Sequence, residues 1–288
     1  VLGTIKMNVL SLFDGMSCGQ QALERAGIKV DNYFASEIKP HAIKLTQHNY
    51  PKTIQLGDIR NIKAKDLPKI DLLIGGSPCQ DFSQANKERK GLEGQKSSLF
   101  YEYLRLLDEC KPTYFLLENV RMDDFSYNTI SHLLGTFPVD INSSLVSAQM
   151  RQRSYWTNIG PAQFDLFGMR YCSIPQPIDK KIQFQSILDN GFTDRNKALC
   201  LLESESRPLV SKDKLYRRAN KFGFINIVYD NPQFKFSENL RILNQNELEK
   251  LQTVKLGYTS ILKRNDAACL LGDGWTVDVI VHILSYLK

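Results

Sequence analysis

Asn8-Val9-Leu10-Ser11-Leu12-Phe13-Asp14-Gly15-Met16-Ser17-Cys18-Gly19 is the stretch that decides the fold. An apolar run stops at an acid and a glycine, and the residues beyond take up the i, i+3, i+4 spacing of a surface helix. That order is strand, tight turn, helix, and it recurs along the chain. Short strands are expected over 8–13, 32–36, 53–56, 71–74, 114–118, 140–145 and 154–158, with helices over 19–26, 40–47, 98–109 and 127–134. Seven strands alternating with helices imply an α/β protein whose mostly parallel sheet is covered on both faces. Ligand sites in such sheets gather at the carboxyl ends of the strands. Asp14, Glu37, Asp58, Cys79 and Glu118 all stand at or just past a strand end.

The 288 residues suffice for one large domain and a smaller one. Lysine and arginine total 37 against 31 acids, a net charge of +6, which suits an anionic partner. The excess is partly local: Arg207, Lys212, Lys214, Arg217, Arg218 and Lys221 face only Asp213. No apolar run spans a bilayer, no signal peptide is expected, and a chain starting at Val1 is expected to begin with an added remnant or an edited end. Six cysteines show no C-x-x-C pair, and none of the four histidines lies close to one. No metal site is expected, and free thiols fit a reducing compartment. Three parts are expected: a catalytic and cofactor-binding domain over 7–164, a small lobe over 165–236 with scattered prolines and the basic run, and a segment over 237–288 packing back on the first. A helical pattern over 247–252 and a last helix or strand–helix unit over 275–287 belong to that segment.

The turn 13–19 lets a backbone approach a ligand closely, and the helix after it offers unpaired amides. It has neither the dinucleotide G-x-G-x-x-G spacing nor a P-loop Lys-Ser/Thr. Glu37 at the second strand end can accept two ribose hydroxyls. Asp58 after the third can accept an adenine amino group, with Ile59 beside the ring. Together they outline an adenosine pocket for a nicotinamide, a flavin or S-adenosylmethionine. No pair suited to hydride chemistry accompanies it, whereas a thiol does.

Cys79 follows Pro78 on the turn after 71–77, the place for a nucleophile. Cytosine C5 takes a methyl group only after a thiolate adds to C6, with a carboxyl group at the N3/N4 edge and a cation near O2. Glu118 in Phe115-Leu116-Leu117-Glu118-Asn119-Val120 supplies the carboxyl, and a strand glutamate without a role is costly to bury. Asn119 is expected to fix the turn and support the cysteine loop. In Gln149-Met150-Arg151-Gln152-Arg153, strand alternation is expected to put Gln149, Arg151 and Arg153 on one face, one arginine for the base and another for a phosphate or the cysteine loop.

Phe13 to Gly19, Glu37, Asp58, Ser77-Pro78-Cys79-Gln80, Glu118-Asn119-Val120 and Gln149-x-Arg151-x-Arg153 resemble, in order, the motifs of the cytosine-C5 DNA methyltransferases. Arg89-Lys90-Gly91-Leu92, residues 100–107 and Val146-Ser147-Ala148 look most like the catalytic domain of the animal de novo enzymes. Arg241-Ile242-Leu243 with Glu247 and Leu251-Gln252, and Gly272-x-Gly274-Trp275-x-Val277, are similar to the last two motifs. The resemblance implies a Rossmann-like S-adenosylmethionine-dependent fold and transfer to a flipped cytosine of double-stranded DNA through a Cys79–C6 adduct. It implies that Phe13, Asp14, Gly15, Ser17, Gly19, Glu37, Ile38, Asp58, Ile59, Ser77, Trp275 and Val277 serve the cofactor. Glu118 would contact N3 and N4, Arg153 would hold O2, and Arg151 would support the base or the backbone. Residues 83–94, with Gln80, Ser83, Arg89 and Lys90, would close on DNA.

Two positions depart from the pattern: Asp273 stands where the family has Asn, and Thr253-Val254-Lys255 where it often has Gly-Phe-Pro. The lobe over 165–236 would recognise a short target, with Arg217, Arg218 and Lys221 on phosphates and Arg207, Asn220 and Asn226 as candidate base readers. Phe100, Tyr101, Tyr103 and Phe125 are expected mostly in the core, with a second copy or partner subunit as a further partner. A bacterial or phage modification enzyme in the cytoplasm is expected, or a nuclear one if the source is eukaryotic. The alternatives are a tRNA cytosine-C5 methyltransferase, disfavoured because Ser77 replaces the first proline of Pro-Pro-Cys, and a regulatory DNA-binding homologue, disfavoured because Cys79, Glu118 and the arginines are kept.

Overall fold

The computed structural model describes residues 7–77, 98–207, 211–234 and 239–287. Contacts divide the chain into two compact units, one of Val1–Ile141, Gln152–Gln176 and Ile280–Lys288, the other of Asn142–Arg151 and Pro177–Val279. These cuts fall elsewhere than at 164/165 and 236/237, because the chain enters the second unit twice.

The first unit is built on strands β1 (Met7–Leu12), β2 (Val30–Ser36), β3 (Ile54–Gln55), β4 (Leu72–Gly76) and β5 (Tyr114–Val120). After β6 (Thr136–Phe137) come β7 (Val139–Asn142) and β8 (Gln152–Thr157). The seven-stranded sheet has the order β3-β2-β1-β4-β5-β8-β7. β1 to β5 pair in parallel, and β8 runs antiparallel to β5. β6 joins a small sheet with β9 (Ala162–Phe164) and β10 (Arg170–Cys172). Helices α1 (Cys18–Arg25), α2 (Pro40–Asn49), α3 (Ser98–Cys110) and α4 (Asp124–Leu134) follow β1, β2, β4 and β5.

β1 and β4 are buried almost throughout, as strands covered on both faces must be. Leu10, Leu12, Leu73, Phe100, Tyr103, Leu106 and Trp156 form one apolar cluster. Each fully buried large side chain contributes about 2 kcal/mol. Local chemistry explains where elements differ from expectation. α4 starts before residue 127 because Asp123 accepts the amide of Ser126 at 2.9 Å, and it stops at Gly135, whose φ is +66°. The strand expected over 140–145 ends at Asn142, whose side chain accepts the amide of Ser144 at 3.0 Å and starts a 3₁₀ turn, Ser143–Leu145.

The second unit holds helix α5 (Lys212–Tyr216), the hairpin of β11 (Ile227–Tyr229) and β12 (Leu240–Ile242), and helices α6 (Gln245–Leu251) and α7 (Arg264–Asp273). The helix expected over 247–252 corresponds to α6. α7 has no counterpart in the sequence reading. Lys197 Nζ donates to the carbonyls of Ser144, Ser147 and Ile182 at 2.6, 2.9 and 2.6 Å, which saturates the ammonium. The last helix, α8 (Val277–Leu284), is shorter than the expected 275–287 and ends in the first unit. The stretch Arg264–Leu284 has the hydropathy of a membrane span, but it comprises α7 and α8, and 61% of that window is buried in the protein.

Candidate active site

Strand order reverses between β1 and β4, so the carboxyl ends of these neighbours open a crevice of the kind that takes ligands in doubly wound sheets. Leu12 pairs with Gly75, which sets the turn after β1 beside Ser77 after β4. Phe13, Gly15 and Ser17 in the first turn have φ of 56°, 58° and 56°. Two are not glycine, and each left-handed residue costs about 1–2 kcal/mol. Asp14 holds them there. Its Oδ1 accepts Ser11 Oγ at 2.6 Å and Tyr33 OH at 2.8 Å, its Oδ2 accepts Ser17 Oγ, and its own amide donates to the Ser36 carbonyl at 3.0 Å. Burial pushes the Asp14 carboxyl up to about 6, against the three hydroxyl donors. Asp14 thus serves the turn from below, and Ser11, a hydroxyl in an otherwise apolar strand, is the sequence signal for its cage. Gly19 is fixed by packing: a Cβ there would lie 2.5 Å from Ile74 Cδ1 and 2.8 Å from Tyr33 OH.

Glu37 closes the second side. Its Oε2 accepts the Gly15 amide at 2.7 Å, and its Oε1 accepts those of Ile38 and Lys39 at 2.7 and 2.9 Å. Beside it Ile38 is 67% exposed, an apolar face with no apolar cover. Asp58 caps the 3₁₀ turn Ile59–Asn61, accepting the Arg60 amide at 3.0 Å, and Arg60 Nε lies 2.9 and 3.1 Å from its two oxygens. The Arg60 fork holds the Asp58 carboxyl down at about 2. Ile59 is 4% exposed and packs in the main apolar cluster. The donor and acceptor set fits an adenosine: carboxylate acceptors for hydroxyl and amino groups, an apolar side chain beside them, and a turn with three left-handed residues.

The residues expected to carry the chemistry, Glu118 and Arg153, lie on β5 and β8. Glu118 pairs with Tyr155 and Val120 with Arg153, so Glu118 and Arg153 are diagonal neighbours on one face. Arg153 Nε is 2.9 Å from Glu118 Oε1, and both side chains are nearly buried. Asn119 points to the other face, donating from Nδ2 to Ser77 Oγ at 2.9 Å and accepting the Val120 amide at 2.8 Å. It therefore ties β5 to the residue that precedes Pro78-Cys79. Cys79, Gln80, Ser83, Arg89 and Lys90 lie outside the described residues. Phe100 and Tyr103 are core, whereas Tyr101 and Phe125 are 46% and 75% exposed.

The expectation that Gln149, Arg151 and Arg153 share a strand face is corrected. β8 begins at Gln152, and Gln149 and Arg151 belong to the second unit. There the Arg151 guanidinium donates to the carbonyls of Leu201, Gly272 and Gly274 at 2.7, 3.1 and 2.9 Å, and lies 3.4 Å from Cys200 Sγ. Trp275 is half-buried, Val277 is buried at the start of α8, and Asp273 is exposed. In the lobe, Arg207, Arg217 and Lys221 are exposed, with Lys221 Nζ 5.8 Å from the Phe222 ring centre. Arg218 donates to the Ser204 carbonyl at 2.7 Å and Arg195 to Asn220 at 2.9 Å. Asn226 is corrected as a base reader: it is 1% exposed and bonded to Leu199 and Glu205. Among the described residues no cluster of His, Cys, Asp or Glu could hold a metal ion.

The sheet order and the placement of these groups define an α/β methyltransferase fold. Residues 7–138 match the model of the C-5 cytosine-specific DNA methylases. The chain is 42% identical over 118 residues to the orphan methyltransferase M.Rho11sI of Bacillus phage rho11s, covering 40% of this chain and 23% of that one. It is 31% identical over 203 residues to the type II methyltransferase M1.ScrFI of Lactococcus lactis subsp. cremoris, covering 67% and 51%. It thus spans from about a quarter to about half of these relatives. Among solved structures, the Entamoeba histolytica methyltransferase EhMeth superposes with a TM-score of 0.74 over 98% of both chains at 18% identity. A putative DNA modification methyltransferase encoded within an E. coli prophage does so with 0.63 over 97% of both at 19% identity.

Proposed function

We propose that this chain methylates C5 of a flipped cytosine in double-stranded DNA, with Cys79 as nucleophile, in the modification of bacterial or phage DNA. The observation that carries the reading is the Glu118–Arg153 pair at 2.9 Å, a carboxyl group on β5, the strand next to the one that leads to Cys79, and a cation beside it on β8. S-adenosylmethionine, when bound, supplies the methyl group. Glu37 would hold its ribose, and Asp58, Ile59 and Phe13 its adenine.

The Cys79 thiolate adds to C6, forming an S–C bond and pushing the ring electrons towards N3 and O2. Glu118 contacts N3 and accepts a hydrogen bond from the N4 amino group, while Arg153 stabilises charge at O2. Asn119 keeps Ser77, and so the start of the cysteine segment, in register with Glu118. Once C5 carries the methyl group, its proton leaves to a base and the C6–S bond breaks, restoring the aromatic ring and the thiolate. The exposed cations Arg207, Arg217 and Lys221 are proposed to meet phosphates.

The test is transfer of labelled methyl groups to unmethylated duplex DNA, mapped by bisulfite sequencing, with Cys79→Ser alongside. Methylcytosine in one short context, absent with the variant, supports the reading. Transfer to tRNA but not to DNA contradicts it.

A further inference from the structure

We infer that Arg105, on α3, is a positioning residue for the turn that carries Asp58 and Ile59, and through it sets recognition of the amino edge of an adenine ring. The inference rests on the reading of that turn as the adenine side of the cofactor pocket.

Arg105 donates from Nε to Glu102 at 2.8 Å and from Nη1 to both oxygens of Glu109 at 3.1 Å, the i−3 and i+4 neighbours on its own helix. Such pairs alone are ordinary helix-surface chemistry and stabilise little. The guanidinium goes further. Nη1 also donates to the Ile62 carbonyl at 3.1 Å, and Nη2 to the Ile59 carbonyl at 3.2 Å, contacts that span 43 and 46 residues of chain. The two carboxylates hold the planar fork so that its remaining donors meet both carbonyls at once. A lysine, a point donor on a flexible stem, does not reproduce that geometry.

The turn is thereby held from two sides. Ile59 and Ile62 are 4% and 6% exposed and pack in the same cluster as Phe100, Tyr103 and Leu106 of α3. Arg105 fixes the polar side of the same turn to the same helix. Asp58 has no freedom of its own relative to that turn, because its Oδ1 accepts the Arg60 amide at 3.0 Å. Where the turn sits, the carboxylate sits. Arg60, whose side chain is 67% exposed, grips Asp58 from solvent and cannot supply this anchoring.

The test compares S-adenosylhomocysteine with S-inosylhomocysteine, in which a carbonyl replaces the adenine amino group, by titration calorimetry on wild type, Arg105→Met and Arg105→Lys. A charged acceptor matched to the amino group makes wild type prefer the adenine ligand by at least about thirtyfold. Arg105→Met is expected to cut that preference below about fivefold, chiefly by weakening the adenine ligand, with Arg105→Lys in between. A general loss of packing would weaken both ligands alike and leave the ratio intact. An unchanged ratio in the variants overturns the inference and leaves the pocket reading standing. Equal or absent binding of the two ligands by wild type overturns the pocket reading and the inference with it. Should Arg105→Met fail to fold, the Arg105→Lys ratio decides.

Discussion

Arg153 reaches diagonally across from β8 to Glu118 on β5, Nε 2.9 Å from Oε1, with Val120 and Tyr155 completing the four-residue patch. The two charges sit in one nearly buried face, and each is oriented by the other. Glu118→Gln keeps the shape and removes the acid, so turnover should fall by about 10²–10³ with cofactor affinity nearly unchanged. Arg153→Ala should in addition destabilise the protein by about 1–3 kcal/mol, since it removes a nearly buried guanidinium that pairs with the Glu118 carboxylate. Single-turnover kinetics and urea midpoints separate the two effects.

Asn119 and Ser77 act as one unit, the amide of Asn119 donating to the Ser77 hydroxyl. Asn119→Ala and Ser77→Ala should each lower turnover about tenfold or more, and the double variant should lose no more than the worse single one. Additive losses would show that the two residues act separately.

Asp14 gives the protein a pH dependence whose sign is fixed by burial. Its folded pKa of about 6 lies above the ordinary 3.8, so the folded state holds this proton more tightly. The carboxyl penalises folding least below about pH 4. Stability then falls as pH rises from about 4 to 6, by about 3 kcal/mol from this group, and is flat above. Denaturation of wild type against Asp14→Asn across that window checks it: the difference between the two should move against wild type as pH rises.

In the second unit, Arg151 satisfies three carbonyls, two of them flanking Asp273 at the end of α7. The cation also meets the negative end of that helix. Arg151→Ala should cost about 3 kcal/mol, because buried acceptors lose their donors. The Trp275 emission should shift to the red, with greater acrylamide quenching than in wild type.

The alternation of strands and helices was legible because β1, β4 and β5 are apolar runs closed by polar turns, and the acids at their ends stood out against that background. Glu118 and Glu37 were legible for the same reason. Arg151 and Arg153 were not separable: two arginines two residues apart look alike until β8 is seen to begin between them. α7 escaped because Ala267, Ala268, Leu270, Leu271 and Gly272 are buried nearly all round, which leaves no one-sided stripe to read. Asn226 looked like a base reader because a polar residue beside a basic run suggests surface, whereas its amide is spent on Leu199 and Glu205. Partners distant in sequence decide such cases, and composition does not carry them.

The most direct measurement traps the reaction part-way. A duplex with 5-fluorocytosine at the mapped target blocks loss of the C5 substituent, so the enzyme with S-adenosylmethionine should form a complex stable to denaturant. Digestion and mass spectrometry should find the DNA on the peptide containing Cys79, with one methyl group added to the base. Methylation of ordinary duplexes with no trapped complex, or attachment at another residue, would contradict covalent catalysis by Cys79.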